Sequence, residues 1–458
     1  MKRTLALLLA LGCGGAAPDP SPADRLAYTE HRVPANLCRE PGPEQLDRAT
    51  MLRDLAVLER LFDRGYAGRD LAGNEEHWSR AHAAAREAVP EQASLEEFRD
   101  LLAARYRWLD DNHVGFWYFD TARHWQSTGH HDRPWAAQTL GDDPWDPSCS
   151  PTVELVPFWG SEGLSHRPLF LRSEAPGDIE CTEDEEPVRY PTERLTVFTD
   201  PGGPTFERNG GRAVIRSLMT TNAGALEAFV ASAEPLRHEP VVLLDFRFTG
   251  GGADRYLVRF FAHFTSQRLS YWTTGALVSE TTLQGARNFW GCVRNGTQPD
   301  TPGRAWVDQR IARAERDLDE GMARGPFYDF RSQRKHVPPK VDEPFAGRLI
   351  VATGPRCASA CETAVLLAKQ IPGAWIVGQN TSGTMKVGEL RWYRLPESKM
   401  WVALGRRSHT DPTGEFQEAI GFVPDLWIDG ENAEARLDEL YACAADPECA
   451  AAVDAAIE

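Results

Sequence analysis

Ser359 is the residue whose type and setting most readily do chemistry. It stands in Cys357-Ala358-Ser359-Ala360-Cys361-Glu362, after the run Arg348-Leu349-Ile350-Val351-Ala352-Thr353 and the break Gly354-Pro355. The first run is apolar and β-branched and reads as a strand. Helix-compatible residues continue from Thr363 to Gln370, and Trp375-Ile376-Val377 after Pro372-Gly373 reads as the next strand. Ser359 therefore sits where a strand hands over to a helix, between two alanines that leave its hydroxyl uncovered. Helix-start amides and the positive end of the helix dipole gather there, which suits a developing oxyanion. A serine in this place also reads as a plain N-cap. The rest of the chain has to decide between the two.

Three more segments line up with it. One is Leu109-Asp110-Asp111-Asn112-His113-Val114-Gly115-Phe116, another Leu244-Asp245-Phe246-Arg247-Phe248-Thr249-Gly250-Gly251-Gly252, the last Glu418-Ala419-Ile420-Gly421-Phe422-Val423-Pro424-Asp425. In this order the four resemble the tail-specific (C-terminal processing) serine peptidases, closer to the branch of the tricorn core protease and the interphotoreceptor retinoid-binding repeats. The resemblance covers roughly 46–119 and 211–440. It implies an α/β fold with a ClpP/crotonase-like β-β-α core, an N-terminal helical bundle and an inserted loop-rich β region.

The family activates its serine in two ways. One branch uses a lysine in the loop after the next strand. Here that loop reads Gly378-Gln379-Asn380-Thr381-Ser382-Gly383-Thr384, with threonine in the lysine place and Lys386 two residues on. The tricorn-like branch uses histidine, serine and glutamate, which the resemblance carries onto His113, Ser359 and Glu418, with Glu415 as the alternative carboxylate. The set is chemically coherent. A hydroxyl needs a base to take its proton, an imidazole suits neutral pH, and a carboxylate fixes the imidazole's tautomer. Asn112 departs from the small hydroxyl residue that tricorn-type enzymes carry before the histidine. The oxyanion hole would combine the Ala360 amide with one from Gly250 or Gly251. The same resemblance leaves a non-catalytic peptide- or lipid-binding protein, and a serine–lysine peptidase using Lys386, as alternatives. A Gly-x-Ser-x-Gly elbow of another esterase type is missing, because Arg356 and Ala358 surround Cys357. Asp245 and Arg247 read as a structural ion pair.

These residues need elements to hold them. Leu52, Leu55, Leu58, Leu61 and Phe62 recur at helical spacing, and Ser94-x-x-Glu97 reads as a capping box before Phe98, Leu101 and Leu102. Residues 38–119 thus form a helical domain. Residues 120–210 are rich in Pro, Gly, Asp and Trp, with short apolar runs at 153–156 and 169–171 that read as small strands. From 211 to 440 strands alternate with helices, which implies a partly parallel sheet with crossover helices. An insertion at 269–340 interrupts this core, and 441–458 is a helical tail. Trp290 and Trp306 in the insertion read as core.

The chain has 458 residues and a net charge of −17, which argues against nucleic acid as a partner. A peptide or unfolded polypeptide is the substrate class the resemblance implies, with no cofactor and no metal. The first 23 residues read as export signal and tether. Lys2-Arg3 leads an apolar stretch from Leu5 to Leu11, too short to span a bilayer, and Ala10-Leu11-Gly12-Cys13 resembles a lipobox. An exported protein lipidated on Cys13 and held at the cell envelope is the expectation, with an ordinary signal peptide as the alternative. The eight other cysteines fit an oxidising compartment. Cys443/Cys449 and Cys149/Cys181 are the pairs nearest in sequence. A Cys357–Cys361 bridge within a helix would be strained, so one of the two is expected to reach Cys292 instead.

Overall fold

The computed structural model describes residues 38–109, 111–119, 125–127, 136–140, 154–172, 179–183, 186–190, 192–295, 297, 299–300, 302–323 and 328–458. The helical unit begins as its sequence dictates. Asp47 caps the helix Arg48–Gly65 by accepting from the Thr50 amide at 2.7 Å. Met51, Leu55, Leu58 and Phe62 form its buried stripe. Ser94 and Glu97 make the expected capping box at the start of the helix Leu95–Tyr106. The stripe packs on a six-stranded sheet, in one core that also holds Leu277, Val387, Val402 and Leu404. Asp54 pins the two together by accepting the Glu397 and Ser398 amides at 3.0 and 2.8 Å.

A second sheet of ten strands carries the serine turn. Its centre is parallel. Arg212–Ile215, Val241–Asp245, Arg348–Thr353, Trp375–Gly378 and Leu426–Trp427 lie side by side in that order. The helices Ala223–Ala231, Arg255–Phe261 and Ala360–Ala368 cover one face around Phe229, Phe260 and Leu367. The terminal helices Ala433–Ala445 and Pro447–Ile457 cover the other, in a core with Trp375 and Val377. Continuous apolar strands are what a sheet buried on both faces requires.

The two regions read as interruptions are built into these sheets. The hairpin Glu154–Gly160 and Gly163–Arg172 extends the ten-stranded sheet, because Phe158 pairs in parallel with Trp427. The insertion supplies Leu269–Ser279 and Tyr328–Val337 to the six-stranded sheet, plus the helices Glu280–Asn295 and Pro302–Ala323. Within it Trp290 packs edge-on against Trp306 at 5.0 Å.

The disulfides correct one expectation. Cys357 and Cys361 are bridged to each other, with their Cα atoms 5.2 Å apart, and Cys292 pairs with Cys38 instead. The bridge is not inside a helix. The helix starts at Ala360 and the backbone turns sharply at Ser359, so Cys357 approaches from outside. Cys443 and Cys449 pair as their spacing predicts. Cys149 and the whole N-terminal signal lie outside the described residues.

Candidate active site

The Arg348–Thr353 strand ends on the turn that delivers Ser359. Ser359 has φ 54° and ψ −114°, a region that non-glycine residues rarely enter. Its side chain makes no hydrogen bond that caps the helix. The Glu362 amide goes to the Ser359 carbonyl at 2.9 Å instead, and the Glu362 carboxylate takes the Ser359 amide at 3.0 Å. Ser359 is half-buried, whereas Glu362 behind it is fully buried. The carboxylate of Glu362 thus secures the Ser359 amide at the helix start.

The glycine turn lies directly across from it. A Cβ on Gly251 would stand 2.9 Å from the Ser359 Cβ and 3.4 Å from its Oγ, so only glycine lets the backbone approach this closely. A Cβ on Gly250 would meet nothing within 4 Å. The Ala360 amide belongs to the first turn of the helix, where amides have no intrahelical partner. Ser359, Gly251 and Ala360 thus stand together. Asp245 and Arg247 just before the glycines form the expected buried ion pair at 2.7 Å, with Glu434 as a second partner at 2.5 Å.

The loop 381–386 joins this turn to the other predicted residues. The Ser382 amide donates to the Cys357 carbonyl at 2.9 Å. Glu362 accepts the Thr381 hydroxyl at 2.8 Å and the Gly383 and Thr384 amides at 2.6 and 3.0 Å. Next along the loop, the Met385 and Lys386 amides donate to Glu418 Oε2 at 3.1 and 2.6 Å. Asn112 Nδ2 donates to Thr384 Oγ1 at 3.2 Å, which brings the residue before His113 to the same loop. His113 leads into the strand Gly115–Phe119, whose partners Trp401, Val402 and Ala403 bring it into the sheet beside the loop.

Sequence reasoning missed Asp111 and His409. Asp111 accepts the Tyr66 hydroxyl at 2.7 Å and the His113 amide at 2.8 Å, and its Oδ1 lies 3.9 Å from His113 Nδ1. Its place among the acidic residues before His113 was the available signal. His409 approaches His113 across Gly388: a Cβ there would lie 3.3 Å from one ring and 3.6 Å from the other. Burial pushes the His409 imidazole down to about 3, helped by Arg407 and His113, so it is neutral. No sequence signal marks His409, because its strand reads as ordinary sheet. Glu415, the alternative carboxylate, is ion-paired with Lys369 at 3.0 Å. The Pro-Asp tail plays a structural part, since Asp425 takes the Ile376 amide at 2.9 Å and Lys369 at 3.0 Å.

Three buried carboxylates concentrate here. Burial raises Glu362 to about 7 against four hydrogen bonds that favour its ionised form. Burial raises Asp111 to about 6. Glu418 is raised well above its usual range by burial first and by Asp111 second, and its Oε1 is buried without a hydrogen-bond partner. Asp111 and Glu418 share a small cavity with Tyr66 and Lys386. Groups whose pKa rises on folding stabilise the fold most when protonated. That stability is complete below about pH 4 and is lost as pH climbs through about 6 for Asp111 and about 7 for Glu362. The urea midpoint is therefore expected to fall between pH 5 and pH 7.5, by on the order of 2 kcal/mol in unfolding free energy. Asp111→Asn should flatten that slope. A wild-type midpoint that rises over this interval would contradict the assignment.

The arrangement offers a half-buried hydroxyl with a glycine turn and a helix start beside it, and, tied to that turn through the loop 381–386, two imidazoles and a carboxylate pair. Among the described residues no group of three or more His, Cys, Asp or Glu is placed to hold a metal ion. Residues 212–428 match the model of Peptidase family S41. No curated protein sequence matches the chain. Among solved structures, mature CPAF complexed with lactacystin aligns at 13% identity and TM-score 0.49, covering 86% of this chain and 98% of that one. The photosystem II D1 C-terminal processing protease aligns at 13% identity and TM-score 0.36, covering 84% and 93%. The tricorn protease aligns at 11% identity and TM-score 0.38, covering 90% of this chain and 37% of its own.

Proposed function

We propose, since the chain belongs to peptidase family S41 through residues 212–428 and is a serine peptidase, that it hydrolyses peptide bonds through Ser359, His113 and Glu418. Ser359 attacks the scissile carbonyl, His113 takes its proton and returns it to the leaving amine, and Glu418 steadies the imidazolium. The amides of Ala360 and Gly251 receive the oxyanion. One observation carries this reading. A single loop, 381–386, donates amides both to Glu362, which holds Ser359, and to Glu418, and it binds the neighbour of His113.

The substrate is an extended peptide or unfolded polypeptide. The protein is exported and lipidated on Cys13. The basic start, the short apolar core and Cys13 support this, as do the three disulfides among the described residues, which need an oxidising compartment. Among the described residues no helix is long and apolar enough to cross a membrane. Cys13→Ser should move the protein from the membrane pellet to the soluble fraction.

A fluorophosphonate probe tests the mechanism. It should label the wild type, fail on Ser359→Ala and react slowly with His113→Ala. Absence of labelling on folded wild type would return the non-catalytic binding reading. Lys386 separates the two bases. It lines the cavity that holds Asp111 and Glu418, and its charge acts on Asp111. With histidine as base, Lys386→Ala should change kcat/KM by less than about threefold, as expected of a side chain outside proton transfer. A collapse by about 10³-fold would make lysine the base.

A further inference from the structure

A cavity lined by none of the residues of the Ser359 turn lies between the insertion helices Glu280–Asn295 and Pro302–Ala323 and the strands Val387–Arg394 and Trp401–Thr410. It holds about 560 Å³. Five arginines line it: Arg310, Arg313, Arg391, Arg406 and Arg407. Three carboxylates oppose them, Glu389, Asp317 and Glu320, which leaves an excess of two positive charges inside a chain of net charge −17. We propose that this cavity is a binding site for the phosphate group of a small phosphorylated molecule.

The arginines are held as a prepared cluster. Glu389 accepts from Arg391 at 3.1 Å, from Arg406 at 2.6 Å and from Arg407 at 2.6 Å. One carboxylate thus gathers three guanidinium groups that would otherwise repel each other. Arg391 is 8% exposed, and its Nε is buried without a hydrogen-bond partner; the Nε of Arg406 is in the same condition. A buried cation with unused donors is costly unless something accepts from it. Burial first, and the charge of Arg406 second, push the Arg391 guanidinium down to about 10.

The chemistry of the occupant follows from direction and number. Guanidinium groups reach the cavity from two strands and one helix, so they approach an occupant from more than one side. A tetrahedral dianion uses such a set better than a planar carboxylate does. Leu283, Ala286 and Trp290 provide an apolar side to the cavity, suited to the organic part of a phosphate monoester. The site shares its hairpin with the catalytic region, since Gly388 pairs with Arg407 and packs on His113 and His409. Binding there does not depend on peptidase activity.

Isothermal titration of the full chain with inorganic phosphate, at constant ionic strength against chloride, tests the proposal. Wild type and Ser359→Ala should both show saturable binding in the millimolar range. Arg391→Gln should weaken it about tenfold or more, as expected when a charge-assisted hydrogen bond is lost. Because Arg391 is buried and its variant can fail to fold, the double variant Arg310→Gln/Arg313→Gln provides a second reading. Both of these side chains are on exposed residues of their helix. Their loss should weaken phosphate binding about fivefold with the fold unchanged by circular dichroism. Wild-type heats equal to the chloride control would overturn the proposal, and so would unaltered phosphate affinity in the double variant.

Discussion

Ser359→Ala is expected to lower kcat for peptide hydrolysis by at least about 10⁴-fold while leaving the urea midpoint unchanged. The two halves of this expectation have separate causes. The hydroxyl makes no hydrogen bond capping its helix, and the turn is secured by Glu362 and by the Ser382 amide on the Cys357 carbonyl. Alanine keeps the Cβ that already occupies the strained backbone position, so nothing that holds the turn is removed. The nucleophile is removed, and only the oxyanion amides and substrate binding remain to assist water. Residual activity within tenfold of wild type would mean that another residue attacks the substrate. A large fall in stability would revive the N-cap reading.

Glu362→Gln should damage both stability and activity. Each carboxylate oxygen serves two donors: Oε2 takes the Ser359 and Thr384 amides, and Oε1 takes the Thr381 hydroxyl and the Gly383 amide. Glutamine replaces one oxygen by an NH₂ group. Two donors then face a donor at a site with no access to water. Leaving such groups unsatisfied costs on the order of 3 kcal/mol, measured as a shift of the urea midpoint. The same change loosens the Ser359 amide and the loop that reaches Glu418. Misplacing a nucleophile by about 1 Å lowers the rate by about 10²-fold. A variant with the wild-type midpoint and the wild-type rate of fluorophosphonate labelling would show that Glu362 does not hold the site.

The local order around the site was legible because its signals are local. The strand-to-helix change around Ser359, the glycine run after Asp245 and the capping box at Ser94 each depend on a few adjacent residues. The ion pair of Asp245 and Arg247 could be read the same way, since its partners are two residues apart. The pairing of Cys357 with Cys361 was misjudged because the sequence hides a backbone angle. The positive φ of Ser359 turns the chain out of helical geometry and brings the two sulfurs together. Residues 120–210 read as a loop-rich region with small strands, yet within it 154–172 extend the main sheet through the pairing of Phe158 with Trp427, far along the chain.

By itself the amino-acid order determined which residue types were available and where strands and helices begin. Such information resides in spacing, and a short window carries it. Tertiary structure alone decided that Asp111 lies beside His113, that His409 meets it across Gly388, and that five arginines line one cavity. Those juxtapositions arise when separate segments are buried against each other. Burial also sets the charge of the carboxylates, because desolvation depends on what surrounds a group and not on its neighbours in the chain.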